Sequence, residues 1–210
     1  MHGINIAARE LSGDFFSFYP HNDSIYFIIA DVAGKGIHAG MVMAKASTLF
    51  EVLSQSKVDP DEMVFHMNND LNNTKTAGMF VTSIVGEYNL ITDEIRWVNA
   101  GHQPAVIRNS NGEYDQIESS APPLGVIKQK DKDVYNIHKM KLNGSRFYAF
   151  TDGLSESLND NGEEIGIDGS IKIIEQNYNK ETIKQLDNIT KSVINVSKSQ
   201  KLSDDLTLIC

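Results

Sequence analysis

Cysteine is almost absent from this sequence: Cys210 is the only one, so no disulfide can form within the chain. That fits a reducing compartment, and we expect a cytoplasmic protein. No apolar run approaches the roughly 20 residues that a helix needs to cross a bilayer. No signal peptide is visible before the first strand-like segment of the given sequence. No linker rich in proline, glycine or serine interrupts the 210 residues, so we expect a single domain over 1–210.

Basic residues are also scarce. The chain has 19 Lys and Arg against 28 Asp and Glu, a formal net charge of −9. Proteins that bind nucleic acid or an anionic membrane surface normally carry a basic patch, so we expect no nucleic-acid partner and no direct membrane contact. A phosphorylated substrate would also be repelled, unless bound cations reverse the sign of the charge at its site.

Several aspartates stand at the ends of apolar runs: Asp14, Asp31, Asp152 and Asp204, the last followed by Asp205. An apolar run that ends in Asp is typical of a buried strand with a carboxylate at its exposed end. Clustered carboxylates repel one another and resist losing water unless a cation neutralises them. Oxygen ligands of this kind suit Mg²⁺ or Mn²⁺. The pattern therefore predicts a carboxylate-bound metal centre assembled from distant parts of the chain.

The periodicity of apolar residues predicts strands, two helices, a series of hairpin strands, two helices and a final strand. The predicted strands are 4–9, 15–19, 25–31, 79–89, 94–99, 103–109, 114–118, 133–140, 146–151 and 205–210. The predicted helices are 36–56, 60–74, 168–177 and 180–198. Asn143-Gly144 is a favoured hairpin turn, so we expect 133–140 to pair with 146–151. Strands joined by short turns are antiparallel. We therefore expect an α+β fold, a four-layer α/β/β/α sandwich with two mainly antiparallel sheets between helix pairs.

Two further motifs allow more than one interpretation. His102 joins two predicted strands, and it is either a hydrogen-bonded residue of a tight hairpin or a histidine that faces the acid cluster. Gly34-Lys35-Gly36 follows Asp31 and allows the backbone to come close to a ligand or to the helix that begins there. Its spacing does not match a nucleotide-binding P-loop, which disfavours a kinase.

Taken in order, these motifs resemble the PPM (type 2C-like) metal-dependent Ser/Thr protein phosphatases, and most of all their bacterial SpoIIE/RsbU branch. The resemblance covers nearly all of the chain from Ile4 to Ile209 and implies the same α/β/β/α sandwich. Seven blocks keep their order and spacing: Glu10–Phe16, Asp31–Ala39, Met79–Thr82, Asn99–His102, Pro123–Gly125, Thr151–Glu156 and Asp204–Thr207.

The resemblance implies two Mn²⁺ or Mg²⁺ ions, with room for a third. It maps the family's metal ligands onto Asp14, Asp31, Asp152, Asp204 and the backbone carbonyl of Val32. The acids would act through the metals and the water that these activate, which would attack phosphorus without a phospho-enzyme. Asp205 would orient the last acid or reach a metal through water.

Two catalytic roles are assigned less directly. Many type 2C enzymes carry a histidine beside the residue equivalent to Asp31, as a candidate general acid, but this chain has Val32-Ala33 there. That leaves protonation of the leaving group unassigned, with metal-bound water and His102 as the candidates. Arg9 has the spacing at which some members hold the substrate phosphate.

The resemblance also implies partners. The expected substrate is phosphoserine or phosphothreonine on a STAS-type anti-sigma-factor antagonist in a partner-switching pathway. A regulatory sensor domain or partner on the N-terminal side would act through the helix after Asp31, and because Met1-His2-Gly3 begins almost at the catalytic core, we expect such a region to have been removed. Two alternatives stay open: an inactive pseudophosphatase that serves as an interaction domain, and a dimetal hydrolase of small phosphoesters, although such sites usually mix histidine with carboxylate.

Overall fold

Two antiparallel sheets form the centre of the fold. The computed structural model describes residues 1–8, 12–73, 78–159, 161–196, 202 and 204–210, and within these ranges ten strands form two five-stranded sheets. The strands are β1 (Gly3–Ile6), β2 (Phe15–His21), β3 (Ser24–Val32), β4 (Val81–Asn89), β5 (Glu94–Ala100), β6 (Ala105–Arg108), β7 (Tyr114–Ile117), β8 (His138–Lys141), β9 (Arg146–Phe150) and β10 (Leu206–Ile209).

Helices lie on the outside of both sheets. They are α1 (Ile37–Gln55), α2 (Pro60–Asn73), α3 (Asp152–Ser155), α4 (Gly166–Gln176) and α5 (Thr182–Val196), with a 3₁₀ turn at Lys132–Val134. Across the described ranges, no helix combines the length and the apolar character needed to span a membrane.

The layers follow the order α/β/β/α. One sheet has the strand order β2-β3-β4-β5-β8 and is covered by α1 and α2. The other has the order β1-β10-β9-β6-β7 and packs against α4 and α5. The inner faces of the two sheets meet in an apolar layer that includes Phe27, Ile84, Trp97, Ile107 and Phe147. The predicted four-layer sandwich is confirmed.

Strand β3 shows why an apolar run leads to an acid at the site. Ile28 and Ala30 face the helices, whereas Phe27 and Ile29 face the second sheet, and all four are fully buried. A strand buried on both faces needs a continuous apolar run, because no position can point to solvent. Asp31 stands where that run ends and is only partly buried.

The hairpin expected around Asn143-Gly144 is wrong. Both turn residues have positive φ, 47° and 82°, so the tight turn is present. However, β8 pairs with β5 in one sheet, while β9 pairs with β6 and β10 in the other. The chain therefore crosses from one sheet to the other at this turn, because β8 and β9 each pair with strands of a different sheet. The predicted strand 133–140 is also displaced, since the 3₁₀ turn precedes β8, and the short helix α3 was not predicted.

Candidate metal centre

The predicted acids come together at one end of the two sheets. A cleft of about 370 Å³ is lined by Asp31 at the end of β3, Asp152 at the start of α3, and Asp204 and Asp205 before β10. These four carboxylates come from three separate parts of the chain, each next to the end of a strand, as the apolar runs predict. Asp31 is held by the pairing of β3 with β4, where it stands opposite Thr82.

Asp14 lies behind this cleft rather than in its lining. It precedes β2 and is only 4% exposed. Its Oδ2 accepts hydrogen bonds from Thr151 Oγ1 at 2.6 Å and from Thr207 Oγ1 at 2.9 Å. Two buried hydroxyl groups from the second sheet thus hold an acid of the first sheet in place.

Burial and the neighbouring acids raise the pKa values of the carboxyl groups at this site. Burial raises the pKa of Asp14 to about 8, the Asp31 charge adds to this, and the two threonine hydroxyls oppose it. Burial also raises the pKa of Asp31 to about 6, helped by the charges of Asp152 and Asp204. The pKa of Asp152 is raised by burial and then by Asp204. Carboxylates in this setting resist ionisation unless a cation is present.

Asp204 and Asp205 use their carboxylates differently. Asp205 accepts hydrogen bonds from two backbone N–H groups, Ala8 at its Oδ1 (2.8 Å) and Gly13 at its Oδ2 (2.9 Å). Asp204 accepts from the N–H of Asp205 at 3.0 Å and from Lys35 Nζ at 2.9 Å. Asp205 therefore anchors the segment that leads to Asp14, while Asp204 pairs with the ammonium group of Lys35.

The carbonyl of Val32 is kept accessible by a glycine. A Cβ at Gly13 would lie 3.3 Å from Val32 O and 3.7 Å from Asp31 Oδ1. A larger residue at position 13 would crowd both oxygens. Glycine leaves this corner open for a ligand that contacts the Val32 carbonyl and the Asp31 carboxylate together.

This donor set fits Mg²⁺ or Mn²⁺. The carboxylates of Asp31, Asp152 and Asp204 and the carbonyl of Val32 are all hard oxygen ligands. In the part of the chain that the structure describes, no three acidic, histidine or cysteine side chains enclose an ion by themselves. Mg²⁺ usually takes only one or two carboxylates and keeps several waters. Water would complete the coordination of an ion held by some of these oxygens.

His102 lies behind the cleft wall. It is 6% exposed, its backbone N–H donates to Asn99 Oδ1 at 2.9 Å, and its ring Nδ1 lies 3.0 Å from Thr82 Oγ1. Thr82 lines the cleft, whereas His102 does not. Burial lowers the pKa of His102 to about 4, so the imidazole is neutral at pH 7. Arg9 lies outside the described residues.

Comparison with known proteins identifies the family. The family model described as Stage II sporulation protein E (SpoIIE) matches residues 21–210. The chain belongs to the SpoIIE family. It is 29% identical over 208 residues to "Phosphoserine phosphatase RsbU" of Bacillus subtilis (strain 168), in an alignment covering 98% of this chain and 61% of RsbU. The chain thus spans less than two thirds of that relative.

Solved structures of low sequence identity share the fold. The SiaA-PP2C domain of Pseudomonas aeruginosa superposes with a TM-score of 0.84 at 14% identity, covering 98% of this chain and 83% of that one. RsbX in complex with magnesium superposes with a TM-score of 0.69 at 20% identity, covering 98% of this chain and 90% of that one. The PP2C fold of this SpoIIE-family chain is therefore established.

Some residues at the centre of this SpoIIE-family site were not assigned a role from the sequence. Thr151 precedes Asp152, and Thr207 follows the Asp204-Asp205 pair, so both were visible beside predicted ligands. Lys35 stands between two glycines, but nothing in the sequence links it to Asp204, 169 residues away. Those contacts depend on the strand pairing, which sets the three-dimensional neighbours of each acid.

Proposed function

We propose that this SpoIIE-family chain is a metal-dependent phosphatase that hydrolyses phosphoserine or phosphothreonine on a protein. The observation that carries the proposal is the meeting of Asp31, Asp152 and Asp204 in one cleft, with Asp14 buried behind it. Such a negative cluster cannot accept a phosphate dianion until cations reverse its charge. The name of the relative RsbU, phosphoserine phosphatase, supports the same activity.

The residues that would hold the cations are the acids and the Val32 carbonyl. Two Mg²⁺ or Mn²⁺ ions, with room for a third, would neutralise charge on the phosphoryl group and lower the pKa of water. The presence of magnesium in the RsbX complex supports a hard divalent ion. The chain itself keeps the carboxylates in place: Thr151 and Thr207 hold Asp14, and Asp205 holds the backbone of Gly13.

Substitution of two acids tests the phosphatase proposal. Asp31→Asn and Asp152→Asn should each lower Mn²⁺-dependent hydrolysis of a phosphoserine peptide and of p-nitrophenyl phosphate by about 10³-fold or more, because metal-assisted stabilisation of the transition state is lost. Asp187→Asn is the matched control, because Asp187 is exposed on α5. Near-normal turnover in both cleft variants would refute the proposal.

The two alternatives give distinct results in the same experiment. A pseudophosphatase that keeps the fold but has lost its metals would show no Mn²⁺ binding in calorimetry and would hydrolyse neither substrate. A hydrolase of small phosphoesters would cleave p-nitrophenyl phosphate and leave phosphoprotein untouched.

The proposed physiological substrate is a phosphorylated STAS-type anti-sigma-factor antagonist. Similarity to RsbU over 98% of this chain supports it. A phosphorylated STAS domain should be hydrolysed with a kcat/KM at least about tenfold above that of a peptide with the same phosphosite, since a folded partner adds contacts outside the cleft. Equal values for domain and peptide would count against a STAS substrate.

A regulatory domain or partner would act through α1. This helix begins at Ile37, directly after the cleft residues Val32 to Lys35. Ile37 and Met41, four residues apart on its first turns, are 76% and 67% exposed although both are apolar. A regulator that covers Ile37 and Met41 could shift the start of α1 and, with it, the side of the cleft that carries Asp31. Mn²⁺ affinity and turnover compared with and without an attached regulatory domain would test this, and identical values would count against it.

A further inference from the structure

Lys35 brings a positive charge into the acid cleft. Among the described residues that line the cleft, it is the only one with a cationic side chain. Its Nζ donates to Asp204 Oδ2 at 2.9 Å. The Lys35 side chain is 52% exposed and the Asp204 side chain 34%, so the pair is partly open to solvent. The described residues thus place one ammonium group beside an acid that is expected to bind metal.

Lys35 stands in a loop between two glycines. Gly34 and Gly36 have φ values of 125° and 80°, in the region that favours glycine. The lysine ammonium sits on a flexible four-carbon stem with three rotatable donors. Exposed ion pairs contribute little to stability, so exchanging one partner for another is easy. Lys35 is therefore suited to alternate between two anions.

The Lys35 charge reaches across the cleft. Lys35, Asp152 and Asp204 line the same cleft. A cationic group that shares the cleft with both acids stands near the position where a phosphate bound over these acids would lie. A divalent cation on Asp204 would repel the ammonium, and a phosphate bound over the acids would attract it.

We propose that Lys35 is a substrate-phosphate contact of this site, paired with Asp204 in the cation-free protein and transferred to the substrate phosphate once a divalent cation occupies Asp204. The proposal rests on the phosphatase function above and names how the substrate is held. Lysine is a well-suited phosphate partner, because its compact ammonium forms charge-assisted hydrogen bonds with phosphate oxygens. The contact would give a strongly acidic protein a local means of attracting phosphate.

Two substitutions at Lys35 separate the two halves of the proposal. Lys35→Gln should bind MnCl₂ about three- to tenfold more tightly in calorimetry without substrate, because the competing charge is gone. In the Mn²⁺-loaded protein it should bind inorganic phosphate about tenfold more weakly and raise KM for a phosphoserine peptide by a similar factor, with a smaller effect on kcat. Lys35→Arg should keep phosphate affinity within about threefold of the original, since it retains the charge.

Lys191→Gln is the control, because Lys191 is exposed on α5, and all its values should match the unsubstituted protein. Unchanged phosphate affinity and KM in Lys35→Gln would overturn the phosphate contact. Unchanged MnCl₂ affinity in that variant would overturn the exchange at Asp204. Failure of the phosphatase proposal looks different, since then the unsubstituted protein would not hydrolyse the peptide or Asp31→Asn would retain its turnover.

Discussion

The carboxylate of Asp205 accepts a hydrogen bond from the backbone N–H of Gly13, 2.9 Å away and 192 residues earlier in the chain. Its other oxygen accepts from the N–H of Ala8. Asp205 is 8% exposed, and both of its oxygens are engaged with backbone donors. Because Asp14 follows Gly13, this carboxylate fixes the backbone that carries a member of the acid cluster. Its structural role is to align one acid of the site with the others.

Asp205→Asn tests this alignment. The amide can accept one of the two backbone hydrogen bonds, but its NH₂ group would face the other N–H donor. We expect a loss of about 1–3 kcal/mol in the free energy of unfolding and about tenfold weaker Mn²⁺ binding. Urea unfolding and calorimetry measure the two effects. Asp115→Asn, at an exposed position on β7, should stay within about 0.5 kcal/mol. If both variants were equally stable, the anchoring role of Asp205 would be rejected.

Thr151→Val tests how Asp14 is held. Thr151 is fully buried, and its hydroxyl donates to Asp14 at 2.6 Å. Asp14 accepts from two hydroxyl groups, and removing the one on Thr151 leaves only that of Thr207. We expect Mn²⁺ affinity to fall about 10–100-fold, because Asp14 contacts the proposed ligand Asp31 and would no longer hold it in place.

Thr151→Ser is the matched control, because it keeps the donor and removes only a methyl group. It should restore most of the Mn²⁺ affinity measured by calorimetry. Equal weakening in the valine and serine variants would show that packing, and not the hydrogen bond, determines the effect.

His102 should make the folded state less stable in acid. Burial lowers its pKa to about 4, whereas an unfolded histidine titrates near 6.5. Between these values the unfolded chain binds a proton that the folded chain does not. The His102 contribution is therefore intact above about pH 6.5 and is lost as the pH falls toward 4, by roughly 2 kcal/mol at pH 5.

His102→Asn removes this titration, even if it lowers stability at every pH. The difference in unfolding free energy between this variant and the unsubstituted protein should shrink by that amount between pH 7 and pH 5 in urea titrations. His38→Asn, at an exposed position on α1, should give a curve parallel to that of the unsubstituted protein. A constant difference for His102→Asn would contradict a buried, neutral imidazole.

The four-layer architecture could be predicted from the sequence because its signals are local and regular. Apolar runs such as Tyr26–Ala30 have to be buried on both faces, and Asp31 can only stand at their exposed end. The convergence of Asp31 and Asp152 follows once both strands are placed in a sandwich. Their convergence agrees with the metal centre predicted from the motifs.

Other features depend on pairings that the local sequence does not determine. Asn143-Gly144 makes a tight turn as predicted, but tertiary packing sends β8 to β5 and β9 to β6. Lys35 meets Asp204 because the end of β3 and the start of β10 lie at the same cleft, although 169 residues separate the two side chains. For His102 the sequence left two interpretations, and the structure buries its ring behind Thr82.

The most direct test of the metal centre is anomalous diffraction from a crystal grown in MnCl₂. If the acids form a cation site, anomalous density should lie in the cleft against Asp31, Asp152 and Asp204, and it should disappear in an Asp31→Asn crystal. Carboxylates that are well ordered but point apart, with no anomalous density between them at saturating Mn²⁺, would contradict the metal centre and the phosphatase function that depends on it.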